Sequence, residues 1–408
     1  MRITLLHYSA PPVVGGVESV IGHHARLMAE AGHEVQIVAG RGDQMDERVK
    51  FIEVPFTDSR HPVVSSIKEQ LDRGIVPGEF SEHVRQLTET LRGILAETDC
   101  LIAHNVCSLN KNLILTAALK RISEQPGHPQ FILWHHDLAW TTPRYQDELH
   151  AGYPWDLLRT AWEGVEQVTI SEFRRHELSN LLGISEDAIW VIPNGVDVSR
   201  FLKLEAMTSS FVDQLDLLTA CPIILLPVRI TPRKNIELAL QVLASLREQY
   251  PQARLIVTGP LGPHNPANLE YFKKLQDLRD SLSLKSAVSF LAELTSDYLP
   301  DEVISDFYKL ADLLLLPSRE EGFGIPVLEA GLAGLPSFCA DIPPLRDLGA
   351  GFVNYFSLDE SPESIAAMIV EHLSTSPLFG FRAQVRSQYV WRQIYRQQIQ
   401  LLIGKGEK

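Results

Sequence analysis

Two acids, Glu321 and Glu329, bracket the run Glu-Gly-Phe-Gly-Ile-Pro-Val-Leu-Glu near the C-terminal end of a 408-residue chain. An apolar run, Leu313 to Leu316, precedes it, and a short helix is expected to open near Ile325 and Pro326. Backbone N–H groups at a helix start lack intrahelical acceptors, and Gly322 and Gly324 allow close approach, which suits a phosphate. A carboxylate accepts two hydroxyl hydrogen bonds at once, which suits the vicinal diol of a ribose or hexose. Phosphate plus diols means a sugar nucleotide. First-turn acids complementing a helix dipole explain Glu320, Glu321 and Glu329 equally well. They do not explain two glycines flanking Phe323.

Three further groups stand just after expected strands. In Pro227-Val-Arg229-Ile-Thr-Pro-Arg-Lys234-Asn, two cations straddle a loop-to-helix junction. Arg229 would give forked hydrogen bonds to a diphosphate and Lys234 a point charge. An isolated Arg-x4-Lys reads as solvated surface charge, and it is the acid segment nearby that reverses the preference. Gly15-Gly16-Val-Glu18 opens a helix after the first strand, where the backbone could approach a phosphate or sugar. In Trp134-His-His136-Asp137-Leu-Ala-Trp140, His136 is placed to meet a sugar hydroxyl or assist proton movement. Strand alternation turns His135 to the opposite face, and His104 is a lesser candidate at another strand tip.

Bulk properties bound the partners. The length fits two domains. A formal charge of −14 argues against a nucleic-acid binder and does not point to a membrane surface. Four scattered cysteines read as reduced thiols in a cytoplasmic protein. Asp-x-Asp, His-Glu-x-x-His, Gly-x-x-x-x-Gly-Lys-Ser/Thr and Gly-x-Ser-x-Gly are all missing. No cofactor and no metal is therefore expected, the diphosphate charge being met by Arg229, Lys234 and helix N–H groups.

Short β-rich runs alternate with helical spacing throughout, as in an α/β chain with parallel sheets. Strands are expected at Ile3–His7, Val35–Ala39, Phe51–Val54, Cys100–His104, Phe131–His135, Gln167–Ile170 and Ile189–Ile192. A second series follows at Ile223–Val228, Arg254–Thr258, Ala287–Leu291, Asp312–Leu316, Pro336–Cys339 and Phe352–Tyr355. Pro193-Asn-Gly is strong turn punctuation between the two series. A last helix is expected from about Phe381 to Ile403.

Together these residues resemble retaining glycosyltransferase family 4, most specifically through the Glu-x7-Glu signature within Pro317–Ala330. The resemblance implies the GT-B fold: two facing Rossmann-like domains with parallel sheets, 1–195 on the acceptor side and 196–378 on the donor side. Residues 379–408 would form a C-terminal helix returning to the first domain. It also implies roles. Arg229 and Lys234 would hold the donor diphosphate, Glu321 would lie by the donor sugar, and Glu329 would bind the ribose. Backbone from Gly322 through Phe323 to Gly324 would contact sugar and phosphate, His136 would meet the donor sugar, and Gly15 with Gly16 would line the phosphate side of the first domain. The family's glycine before the diphosphate-binding arginine is Val228 here.

The expected activity is metal-independent, retaining transfer of a hexose from a nucleotide-diphosphate sugar to a carbohydrate or other small polar hydroxyl acceptor. Rival readings are a GT-B sugar-nucleotide epimerase, a sugar phosphorylase, and a catalytically silent sugar-nucleotide-binding partner. A nicotinamide dehydrogenase is disfavoured by the lack of Gly-x-Gly-x-x-Gly after the first strand. Aromatic and polar residues of the Trp140–Trp155 loop fit either an acceptor surface or local packing.

Overall fold

The computed structural model of the chain describes residues 1–261, 266–295 and 298–407. Two compact units emerge: Met1–Gly195 with Trp391–Lys408, and Val196–Val390. Each is a parallel sheet flanked by helices.

The first unit holds β1 (Arg2–Leu6), β2 (Glu34–Ala39), β3 (Val49–Glu53), β4 (Cys100–His104), β5 (Gln130–His135), β6 (Val165–Thr169) and β7 (Ile189–Val191). Their order is β3-β2-β1-β4-β5-β6-β7. Every residue of β4 is buried, as an apolar strand covered on both faces should be. On one face the helix Phe80–Leu95 presents Phe80, Val84, Leu87 and Leu91 to Leu101 and Phe131. On the other, Val20, Ile21 and Met28 of the helix Gly16–Glu30 join Ile102, Ile132 and Trp134.

The second unit holds β8 (Ile223–Leu226), β9 (Arg254–Val257), β10 (Val288–Phe290), β11 (Leu313–Leu316), β12 (Ser337–Ala340) and β13 (Asn354–Phe356), ordered β10-β9-β8-β11-β12-β13. In both sheets the strand order reverses beside the unit's own first strand, between β1 and β4 and between β8 and β11. Loops at the C-terminal ends of those neighbours form the crevice where such sheets bind ligands.

The C-terminal stretch departs from expectation. Instead of one helix from 381 to 403, the helix Pro377–Gln388 belongs to the second unit, and a new helical run starts at Trp391 in the first. Between them Val390 forms a parallel bridge with Val196, and the Val196 N–H bonds the Tyr389 carbonyl at 2.7 Å. That bridge turns the backbone extended and ends the helix. Residues 57–98 likewise hold an additional helix, Pro62–Leu71, and the polar stretch before Ala220 holds the helices Val198–Leu202 and Ala206–Gln214.

One buried ion pair anchors the second unit. Asp312 accepts both Arg386 Nη atoms, at 2.9 and 2.6 Å, and the Ile223 N–H at 2.8 Å. Its carboxylate therefore ties the start of β8 to the helix Pro377–Gln388. Removing it strands a buried guanidinium, so Asp312→Ala should destabilise this unit by about 3–5 kcal/mol. Urea unfolding followed by far-UV circular dichroism measures the loss. A shift worth less than about 1 kcal/mol would mean that Arg386 finds water or another acceptor.

Candidate active site

In the second unit, the loop after β8 carries Arg229 to Asn235 and the loop after β11 carries Pro317 to Gly324, side by side because β8 and β11 are neighbours. Lys234 is 7% exposed, unusual for a lysine. Its Nζ donates to Glu321 Oε1 at 2.5 Å, and Ser318 Oγ donates to the same oxygen at 2.7 Å. Both bonds converge on Oε1, and Oε2 has no protein partner among the described residues. The Arg319 N–H bonds the Arg233 carbonyl at 2.8 Å, and Arg319 Nη2 bonds Asn235 Oδ1 at 2.9 Å. The two loops are thus laced together by backbone, amide and charge.

Glycine placement follows from steric need at two positions. A Cβ on Gly259 would stand 1.9 Å from the Val228 carbonyl oxygen, so the ends of β8 and β9 close together only over a hydrogen. Gly324 has φ +106° and would press a Cβ onto Leu345, which demands glycine ahead of the helix Ile325–Ala333. Gly322 differs: nothing lies within 4 Å of its Cβ position and its φ is not positive. The fold of this unit does not require glycine there, and the missing side chain leaves the backbone open to close approach.

The helix Ile325–Ala333 has no side-chain N-cap. Pro326 carries no N–H and the Val327 N–H bonds the Gly324 carbonyl at 2.9 Å, which leaves the Ile325 N–H without a partner among the described residues and open to an anion. Phe323 is exposed beside it. Glu329, one turn in and exposed, accepts from Tyr308 Oη at 2.6 Å. Burial, reinforced by that hydrogen bond, pushes the Tyr308 hydroxyl far above its ordinary pKa, so it stays a donor and holds one carboxylate oxygen. Arg229 is exposed and makes no ion pair with a described residue. Lys234, Glu321 and Gly322 to Gly324 therefore come together at the loop pair, Glu329 sits on the helix that the loop after β11 leads into, and Arg229 is exposed just after β8, paired with no described residue.

In the first unit the C-terminal ends of the central strands carry histidines. His136 follows β5 and His104 ends β4; His104 Nδ1 and His136 Nε2 lie 3.3 Å apart. The backbone N–H groups of His136 and Asp137 both donate to Asn105 Oδ1 at 3.0 Å. His135 faces away and bonds Gln167 at 2.8 Å. Desolvation, above all, lowers His136 to about 3 and His135 to about 4. Both are neutral at pH 7. Gly15 precedes the helix Gly16–Glu30, which also lacks a side-chain cap. Nothing surrounds the Cβ position of Gly16, while that of Gly15 meets the Glu18 carboxylate, itself held by Ser9 Oγ at 2.6 Å. The Trp140–Trp155 loop uses its indoles for packing: Trp155 is buried, and Trp140 bonds the Trp155 carbonyl and lies under Arg159 at 4.1 Å.

Sequence reading did not single out Asn105, Ser318, Asn235 or Tyr308. Ser318 and Asn235 stand inside segments already noted, so their position was a usable signal. Asn105 and Tyr308 lie 31 and 21 residues from their partners, and nothing local announces them.

Residues 14–200 match the family described as Glycosyltransferase Family 4, and residues 213–385 match Glycosyl transferases group 1. The chain belongs to glycosyltransferase family 4. Among its relatives, the mannosylglucosylglycerate synthase of Thermotoga maritima is 25% identical over 387 residues, 88% of this chain and 85% of that protein. The MMP alpha-(1->4)-mannosyltransferase of Mycolicibacterium hassiacum is 25% identical over 82% of this chain and 80% of its own. A D-inositol 3-phosphate glycosyltransferase of Nocardia farcinica reaches 30% over 41% of this chain and 35% of its own. This family 4 chain is a glycosyltransferase, and none of its described helices is long and apolar enough to cross a membrane.

Proposed function

We propose that this glycosyltransferase moves a hexose from a nucleotide-diphosphate sugar to an acceptor hydroxyl, retaining anomeric configuration and using no metal ion. The observation that carries this reading is the buried Lys234–Glu321 pair at the switch point of the second sheet, next to an uncapped helix start. Lys234, Arg229 and the N–H groups around Gly324 and Ile325 meet the diphosphate. Glu321 Oε2 accepts from a sugar hydroxyl, and Glu329 accepts from the ribose diol. The first unit, 1–195, is the acceptor side, with Gly15, Gly16 and His136 toward the donor; 196–378 is the donor side.

In the favoured course the acceptor oxygen bonds C1 from the side the diphosphate leaves. The C1–O bond to phosphate breaks, and a phosphate oxygen takes the acceptor's proton. Fixed cations stabilise the departing charge without reorganising. A small polar acceptor is preferred, since one relative is named a mannosylglucosylglycerate synthase and another a D-inositol 3-phosphate glycosyltransferase.

Incubation with UDP-, GDP- and ADP-hexoses and a panel of polyol and sugar-phosphate acceptors tests the reading. Proton NMR of the product should show the donor's anomeric configuration; an inverted product would sink it. Glu329→Ala should weaken nucleoside diphosphate binding roughly 10- to 100-fold, the size of a lost charged hydrogen bond. Calorimetric titration reads that directly, and unchanged affinity would remove Glu329 from the ribose.

A further inference from the structure

Five histidines of the first unit are almost wholly buried: His7, His24, His104, His135 and His136. His7, His104 and His136 stand at the ends of β1, β4 and β5. Among the described residues, no three His, Cys, Asp or Glu side chains are placed to hold a metal ion, so coordination does not explain the gathering. Hydrogen-bond logic does. A neutral imidazole has one N–H and one lone pair, so each bond fixes what the other nitrogen can do.

His7 Nδ1 lies 2.6 Å from the His104 carbonyl, which only accepts, so His7 carries its proton on Nδ1. Between His104 Nδ1 and His136 Nε2 either nitrogen can be the donor. His104 Nε2 decides it, being buried without a partner. Were His136 to donate, His104 would carry its proton on Nε2, an orphaned N–H in a wall of Trp134 and His24 rings. Were His104 to donate, only a lone pair would be orphaned, a milder breach. The second arrangement leaves His136 Nε2 accepting and its proton on Nδ1. That nitrogen is not among the sealed, partnerless atoms.

We propose that His104 is a positioning residue that fixes His136 as the Nδ1-protonated tautomer, so that His136 meets the donor sugar as a neutral hydrogen-bond donor and not as a base. The functional half rests on the donor-site reading above; the tautomer does not. Asn105 completes the device. Its Oδ1 holds the backbone N–H groups of His136 and Asp137, so consecutive residues at the tip of β4 orient both the backbone and the ring. With Nε2 accepting from His104 and Nδ1 protonated, His136 has no free lone pair with which to take the acceptor's proton.

The test begins with the intact protein carrying 15N-labelled histidine, its His136 resonances assigned by their loss in His136→Gln. Two-bond correlations should show the His136 proton on Nδ1 with Nε2 bare; a proton on Nε2 overturns the proposal. Two variants then separate positioning from packing. His104→Phe keeps the ring against Trp134 and His24 and deletes the donor. His104→Asn loses the ring but places an amide nitrogen near the site of Nδ1. His104→Phe should lower kcat about 10- to 100-fold, the size seen when the hydrogen-bond partner that fixes the tautomer of a metal-ligating histidine is removed, with donor KM within about twofold. His104→Asn should recover most of that loss. The reverse order, Phe tolerated and Asn damaging, would show that the ring merely fills space. If His136→Ala transfers sugar at the wild-type rate, the functional half falls, while the tautomer measurement stands or falls by itself.

Discussion

Lys234→Met should lower kcat for sugar transfer by about 100- to 1,000-fold, the cost of deleting one preorganised group that meets departing charge. Stability should suffer too, because the variant leaves the Glu321 carboxylate, 7% exposed, without its cation. The two effects separate in a double-mutant cycle. Glu321→Gln preserves shape and the Ser318 hydrogen bond and removes the charge that Lys234 meets. Combining it with Lys234→Met abolishes the buried charge imbalance, so the double variant should regain most of the melting temperature that either single variant loses. Its turnover should stay as low as that of the worse single variant. Activity returning along with stability would show that the pair is a structural tie between the loops after β8 and β11 and nothing more.

The second large effect is acid lability of the first unit through its buried histidines. Desolvation, in each case the leading cause, lowers His7 to about 4, His24 to about 3, His135 to about 4 and His136 to about 3, and holds His104 well below its ordinary value. The unfolded chain binds those protons near pH 6.5; the folded chain binds those of His7, His24, His135 and His136 only near pH 3 to 4. Across that window the unfolded state carries more protons, so stability is full above about pH 6.5 and falls as pH drops. Each ring that stays neutral contributes about 2 kcal/mol less at pH 5 than at neutrality. All six tryptophans (Trp134, Trp140, Trp155, Trp162, Trp190 and Trp391) lie in the first unit, so tryptophan emission reports that unit alone. Its melting temperature should drop steeply between pH 7 and pH 5, and His24→Leu should flatten the drop, because His24 is fully buried with both ring nitrogens unpartnered. A pH-independent emission midpoint would contradict the burial argument.

Much of this was legible in the residues, for reasons that are local. Strands β4, β8 and β11 are short apolar runs bounded by polar turns, and both faces of a parallel sheet being buried makes such runs hard to mistake. The acid segment and the Arg229–Lys234 loop were visible because glycine, charge and a helix start coincide within a few residues. What stayed hidden depends on distant partners. The residues from Phe381 to Ile403 keep helical apolar spacing throughout, yet the helix breaks at Val390 because Val196, far away in sequence, supplies a bridge. Lys234 and Glu321 were assigned separately to diphosphate and sugar; that they meet is a consequence of β8 lying beside β11. His104 reads from the sequence as a lesser candidate at a strand tip, and its contact with His136, at 3.3 Å, depends on β4 lying beside β5. Arg229 shows the opposite limit, since its identity is readable while its side chain makes no ion pair or hydrogen bond with a described residue.

Equilibrium titration of UDP, GDP and ADP into the wild-type chain and into Lys234→Met and Glu329→Ala tests the central claim most directly, because it reads the diphosphate and ribose contacts without needing the acceptor. One nucleotide should bind well ahead of the other two, and both variants should weaken it at least about tenfold. No binding by any of the three, or equal affinity in all three proteins, would mean that the loops after β8 and β11 do not hold a nucleotide sugar.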